Sequence, residues 1–211
     1  MTHSLHRRGT RESLESDYVL VAMTSNKNKE ATKPVLSDVA RIVLEVGVSN
    51  TGSSGLETNI PLGFDQEWFV QSIPQSHGLL SSFSSKERLR EALAKLKEAD
   101  LGISITVSGL IDEVIPMAQE LGLKPHTINL SLGIIGKTEE LPAEEILEYT
   151  TMCGHALISA NLARKGLVEV SCGTKSARDA SMMMAKPCIC GIYNLDRSVE
   201  MLTRQAQSGS D

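Results

Sequence analysis

At 211 residues the chain is long enough to bury a core without disulfide staples, and it fits one large domain or one domain with a small appendage. Its charged fraction is 22% and its formal net charge is -5, with no dominant basic patch, which disfavours nucleic acid and anionic membrane surfaces as partners. Aromatic residues are only 3% of the chain, too few for base-stacking platforms, so Leu, Ile, Val, Ala and Met must build the core.

In chain order, residues 1–16 read as a polar arm, whose basic cluster of His3, His6, Arg7, Arg8 and Arg11 is expected to be solvated. The arm lacks the apolar stretch of a signal peptide, and no apolar run reaches bilayer-spanning length. The expected location is therefore the cytoplasm, where thiols stay reduced. Tyr18 to Met23 is an apolar run of strand length. Pro34 then opens a helix, with Val35, Val39, Ile42, Val43 and Val46 on one face and Gly47 as its stop. The segment from Val48 to His77 is irregular. In it, Asn50 to Gly55 reads as a loop, and Trp68 to Val70 is either a short strand or a hydrophobic anchor.

Regularity returns with a strand at Leu79–Phe83, followed by a helix capped by Ser84 and Glu87 and carrying Leu89, Leu93 and Leu96. A strand is expected over Ile103–Val107. A helix capped by Asp112 then runs to Leu121, with Pro116 in its first turn and Gly122 as its end, and His126–Leu132 is the next strand. Beyond Gly136 the pattern is helical, with helices after Pro142, from about Gly154 to Lys165, from about Lys175 to Lys186 with Thr174 as cap, and after Asn194.

This alternation predicts an α/β domain over residues 17–135 with a mostly parallel sheet, then a helical cysteine-bearing region over 136–207 and a tail at 208–211. The alternative is a ferredoxin-like α+β sandwich, which requires the irregular segment to supply a further strand.

All four cysteines fall in the last third, as Met152-Cys153-Gly154-His155, Ser171-Cys172-Gly173-Thr174 and Pro187-Cys188-Ile189-Cys190-Gly191. Each group is expected at or just before a helix start, where the helix dipole favours a thiolate. Thiolates are soft ligands, suited to zinc, Cu(I) or an iron–sulfur cluster. Cys153, Cys188 and Cys190 are the expected ligands, with Cys172 and His155 in reserve, although no Cys-x-x-Cys pair or familiar finger spacing is present. The chain is accordingly expected to be a metal- or iron–sulfur-binding protein with a redox or lyase-like role. The bland alternative is that free cysteines and the Met182–Met184 run are core filler.

Met152-Cys-Gly-His155 and Ser171-Cys-Gly-Thr174 also resemble the two cysteine motifs of the proline racemase and hydroxyproline epimerase family. That resemblance implies a cofactor-independent enzyme in which Cys153 and Cys172 are facing acid–base thiols, with the second motif opening a helix. A third reading is a non-enzymatic small-ligand sensor or assembly subunit, in which homo-oligomerisation is open.

In a parallel sheet, ligands bind beyond the carboxyl ends of the strands, here Thr24-Ser25-Asn26, Ser84-Ser85, Gly133 and above all Ser108-Gly109, the cofactor-binding candidates. His77 and His126 are lone histidines beside predicted strands. No P-loop, dinucleotide fingerprint or nucleophile elbow is present.

Overall fold

A computed structural model describes residues 6–24 and 29–208. Ser25, Asn26 and His3 lie outside the described residues. The described strands are β1 (Tyr18–Met23), β2 (Asn50–Ser53), β3 (Thr58–Asn59), β4 (Gly78–Phe83) and β5 (Ser104–Ser108). They form one sheet in the order β3-β2-β4-β1-β5, and every neighbouring pair is antiparallel.

This overturns the mostly parallel sheet, and the reason is specific. β1 and β2 both run antiparallel to β4, so they are parallel to each other, joined through α3 (Val35–Val46). β4 and β5 both run antiparallel to β1, so they too are parallel, joined through α5 (Lys86–Ala99). Each strand–helix–strand unit therefore returns in the same direction, but the two units interleave, and interleaving makes every hydrogen-bonded neighbour antiparallel. The order β2-β4-β1-β5 is the split β-α-β arrangement of a ferredoxin-like layer, with β2 coming from the irregular segment.

The continuous apolar run of β1 reports burial on both faces and not strand direction. Tyr18, Leu20 and Ala22 join a core with Leu36, Val39, Val43, Leu89 and Leu93 of α3 and α5. Val19 and Val21 face the opposite core, built by the C-terminal helices α7 (Glu144–Thr150), α8 (Ala160–Ser171), α9 (Ala177–Ala185) and α10 (Leu195–Ser208). The helical region thus covers the sheet's second face, so residues 136–207 complete the fold that residues 17–135 begin.

Local signals hold at some positions and fail at others. Gly47 (φ 88°) and Gly122 (φ 66°) end helices α3 and α6 (Ile111–Glu120) in left-handed backbone, where a side chain is strained. Asn50–Ser53 is a strand and not a loop, and Trp68–Val70 lies within helix α4 (Gln66–Ser72). The caps of α5 and α9 fall at Ser85 and Ser176. Leu110, not Asp112, precedes α6, and Pro116 lies well inside it. Helix α8 begins after Ser159, not at Gly154.

His126–Leu132 forms no strand. Alternation alone does not make one without a partner for its backbone, and residues 124–140 are exposed throughout. No helix among the described residues is long and apolar enough to cross a membrane.

The described part of the arm, residues 6–16, is not a solvated tail. Thr10 caps the short helix α1 (Arg11–Leu14), Arg8 pairs with Glu144, and Arg11 pairs with Asp112. The Arg7 side chain is only 6% exposed.

Candidate thiol site

The site grows from two turns on the C-terminal side of the sheet. Helix α7 ends at Thr151 and drops Met152 and Cys153 into the core. The chain then turns sharply: Ala156 takes a left-handed φ of 57°, and its N–H donates to the Cys153 carbonyl at 3.0 Å. This turn aims the backbone N–H groups of His155 and Leu157 at the Cys153 sulfur.

The second turn follows α9. The N–H of Cys188 donates to Ala185 and that of Gly191 to the Cys188 carbonyl, each at 2.9 Å. Asn59 at the sheet edge holds this loop by donating its side-chain amide to the carbonyls of Cys188 (2.7 Å) and Ala185 (3.1 Å). Asn50 donates to the Tyr193 carbonyl at 3.1 Å. Gly191, with φ 80°, lies so close to Gly52 that a Cβ would overlap the strand backbone.

Three sulfurs and one imidazole form a chain. Cys153 shares the buried core with Cys188, Cys188 lies 3.8 Å from the Cys190 sulfur, and Cys190 in turn stands 3.5 Å from His155 Nδ1. All four cysteines are free; the three in this chain are buried, while His155 is exposed.

The Cys153 thiol is drawn down to about 6, first by the neighbouring Cys188 thiol, against the effect of burial, then by the Leu157 and His155 N–H groups and attraction to His155. Cys190 is lowered to about 7, again first by Cys188, with help from the Ile192 N–H and His155. Cys188 is pushed well above the usual thiol value by its Cys153 and Cys190 neighbours and by burial. The arrangement is a protonated central thiol between two sulfurs that favour the thiolate. An open pocket of about 300 Å³, lined by Leu147, Thr151, Cys153, Gly154 and Ile158, leads to Cys153 from the surface.

Cys172 takes a different place. It is the C-cap of α8 and is exposed, so Ser171-Cys-Gly-Thr174 closes a helix instead of opening one. The helix-start rationale also fails for Cys153 and Cys188. Cys153 follows the end of α7, and Cys188 follows the end of α9. The thiolates of Cys153 and Cys190 are favoured by the neighbouring Cys188 thiol and by backbone N–H groups, not by a helix dipole, and that of Cys188 is disfavoured.

The Ser108–Gly109 region offers no comparable site. Ser108 is buried in the sheet opposite Val19, and a Cβ at Gly109 would press on the Tyr18 ring. In an antiparallel sheet the carboxyl end of β1 lies opposite those of β4 and β5, so the strand ends do not gather into one crevice. His77 contributes its carbonyl to Thr24, and His126 lies exposed against Thr127. Among the described residues, no three His, Cys, Asp or Glu side chains are gathered as a metal ion requires.

Sequence reading missed Asn50, Gly52 and Asn59, which looked like loop residues, and Arg7, which looked like tail. The one available signal was the local density of Asn and Gly, residues suited to holding another backbone closely.

Compared with known family models, curated proteins and solved structures, the chain has no significant match.

Proposed function

We propose that the protein carries out thiol–disulfide exchange at Cys153 and Cys188, on a small disulfide that enters the pocket above Cys153, in a reducing compartment such as the cytoplasm. The observation that carries this reading is the cluster of three buried free thiols, Cys153, Cys188 and Cys190, in one core with Cys153 lining an open pocket. A low thiolate beside a high, protonated thiol divides the labour of exchange: one sulfur attacks, the other resolves.

In the first step the Cys153 thiolate attacks one sulfur of the substrate disulfide. A mixed disulfide forms and the second substrate sulfur leaves as a thiolate. Cys188 then loses its proton to that departing thiolate, or to solvent, and attacks the Cys153 sulfur. The Cys153–Cys188 disulfide forms, the first substrate sulfur leaves, and the substrate has gained two electrons from the protein dithiol. Cys190 lies beside Cys188, and His155 lies beside Cys190. The pocket above Cys153 is lined mainly by apolar residues such as Pro142, Leu147 and Ile158, with His6, Thr150 and Thr151 as its polar members.

A second reading is favoured by two distances. Zinc–sulfur bonds of about 2.3 Å and zinc–nitrogen bonds of about 2.0–2.1 Å make tetrahedral edges of about 3.8 Å and about 3.5 Å. Cys188–Cys190 and Cys190–His155 have those separations, at 3.8 Å and 3.5 Å. In this reading Cys153, Cys188, Cys190 and His155 hold zinc or, as thiolates, an iron–sulfur cluster, after Cys153 and His155 close in.

One experiment separates them. Protein purified without oxygen is assayed for metal and acid-labile sulfide, then equilibrated with oxidised glutathione and its thiols counted and mapped. Two fewer thiols and a Cys153–Cys188 disulfide, absent in Cys188→Ala, support exchange. Stoichiometric metal that is lost in Cys188→Ala supports the second reading. Neither metal nor a disulfide among these cysteines overturns both.

A further inference from the structure

The N-terminal arm reaches the thiol site: His6 lines the pocket over Cys153, the Arg8 N–H donates to Thr151, and the Arg7 side chain passes between the two turns that carry the thiols. Arg7 donates from one guanidinium nitrogen to the Met152 carbonyl at 3.0 Å and to the Ile192 carbonyl. Its other terminal nitrogen pairs with Asp17, whose side chain is fully buried at the start of β1. Met152 immediately precedes Cys153, so its carbonyl belongs to the peptide unit that carries the Cys153 N–H. Ile192 lies two residues beyond Cys190, and its own N–H points at the Cys190 sulfur. A single planar group thus bridges the two turns that carry the thiols, which are 37 residues apart between Cys153 and Cys190.

The surroundings of Arg7 show what this placement costs and what fixes it. Its Nε is buried and has no hydrogen-bond partner, an arrangement that is unfavourable by itself. Asp17 anchors the guanidinium, and is held in turn by Arg197 (2.6 Å) and Asn194 (3.1 Å) at the start of α10. The fork geometry of arginine suits such a bridge. It can satisfy a carboxylate with one nitrogen while its other nitrogen spans two carbonyls, which a lysine ammonium on a flexible stem cannot match.

We propose that Arg7 is a positioning residue for the thiol site, clamping the Cys153 turn to the Cys188–Cys190 loop so that the three thiols stay in one cluster. The functional weight of this inference rests on the thiol-exchange reading, whereas the clamp itself can be tested by the chemistry of the sulfurs alone.

The test uses full-length wild type, Arg7→Met and Arg7→Lys. The rate of Cys153 alkylation by iodoacetamide is followed against pH and mapped by mass spectrometry, and thermal melts are recorded beside it. Arg7→Lys retains a cation for Asp17 and is expected to fold. In both variants the alkylation midpoint of Cys153 is expected to rise by about one pH unit or more, because loosening the clamp lets the Cys153 turn move away from Cys188 and Cys190. Formation of the Cys153–Cys188 disulfide at a fixed glutathione ratio is expected to fall about tenfold.

A folded Arg7→Lys protein with a wild-type alkylation profile overturns the proposal. So does an Arg7→Lys protein that does not fold, since Arg7 would then serve the fold at large. If wild type forms no disulfide while the variants still shift the alkylation profile, the exchange reading fails and the clamp stands.

Discussion

At the scale of the residue, Cys188 decides the character of its neighbours. Buried and with two other thiols as neighbours, it is the hardest of the three to ionise, so the negative charge is favoured on Cys153 and Cys190. The consequence is a pH profile. Alkylation of Cys153 should rise about tenfold per pH unit up to a midpoint near the value of about 6 and be flat above it, because only the thiolate reacts. In Cys188→Ala the largest cause of that lowering is gone, and the midpoint should move toward the free-thiol value of about 8.5. Rates at Cys153 against pH, separated by mass spectrometry from those at exposed Cys172, check both. A Cys188→Ala profile that coincides with wild type would remove the central-thiol argument.

At the scale of the element, the short strands β2 and β3 are a platform for the cysteine loop. Asn50, Gly52 and Asn59 all turn toward it, and Gly191 meets Gly52 backbone to backbone. Substituting Gly191 with Ala combines left-handed strain of about 1–2 kcal/mol with overpacking of about 1–3 kcal/mol. Gly173→Ala is the matched control, since its φ is 68° but nothing stands within 4 Å of the new Cβ. Urea melts should show Gly191→Ala less stable than Gly173→Ala, the difference being the overlap with β2. Equal midpoints would mean that the loop does not rest on the strand as closely as the geometry requires.

At the scale of the whole molecule, Asp17 ties together the arm, the central strand and the last helix. Burial alone would raise its carboxyl, but Arg7 and Arg197 outweigh it and hold it below the ordinary carboxylate range. A depressed carboxyl contributes stability above its unfolded value of about 3.9 that is lost as the pH falls through the folded value. The protein should therefore lose stability steeply below about pH 4. Asp17→Ala leaves two buried guanidinium groups without their carboxylate and should cost about 3–5 kcal/mol at neutral pH. Its stability should also show a weaker acid limb, measured as unfolding free energy between pH 3 and pH 7. An acid limb identical to that of wild type would assign acid sensitivity to other carboxylates.

Much of the secondary structure was legible because it depends on local pattern. The apolar run at Tyr18, the helical spacing from Val35 to Val46 and the leucines of α5 each report a face that must be buried. The grouping of Cys153, Cys188 and Cys190 could be suspected from their shared position late in the chain and their neighbouring glycines. Strand direction could not, because an apolar run records how many faces are covered and not which neighbour pairs with it. Here the second cover came from helices more than 100 residues away. Nor could the strand at Asn50–Ser53, whose residues favour turns and pair only because β4 presents an edge to them, or the place of Cys172, which the turn chemistry at the end of α8 sends to the surface. The sequence by itself determined which residues seek the interior and which could bear a thiolate. The tertiary structure alone decided which sulfurs meet, because that depends on Arg7, Asp17, Asn59 and Gly52, residues distant in the chain whose contacts no local periodicity encodes.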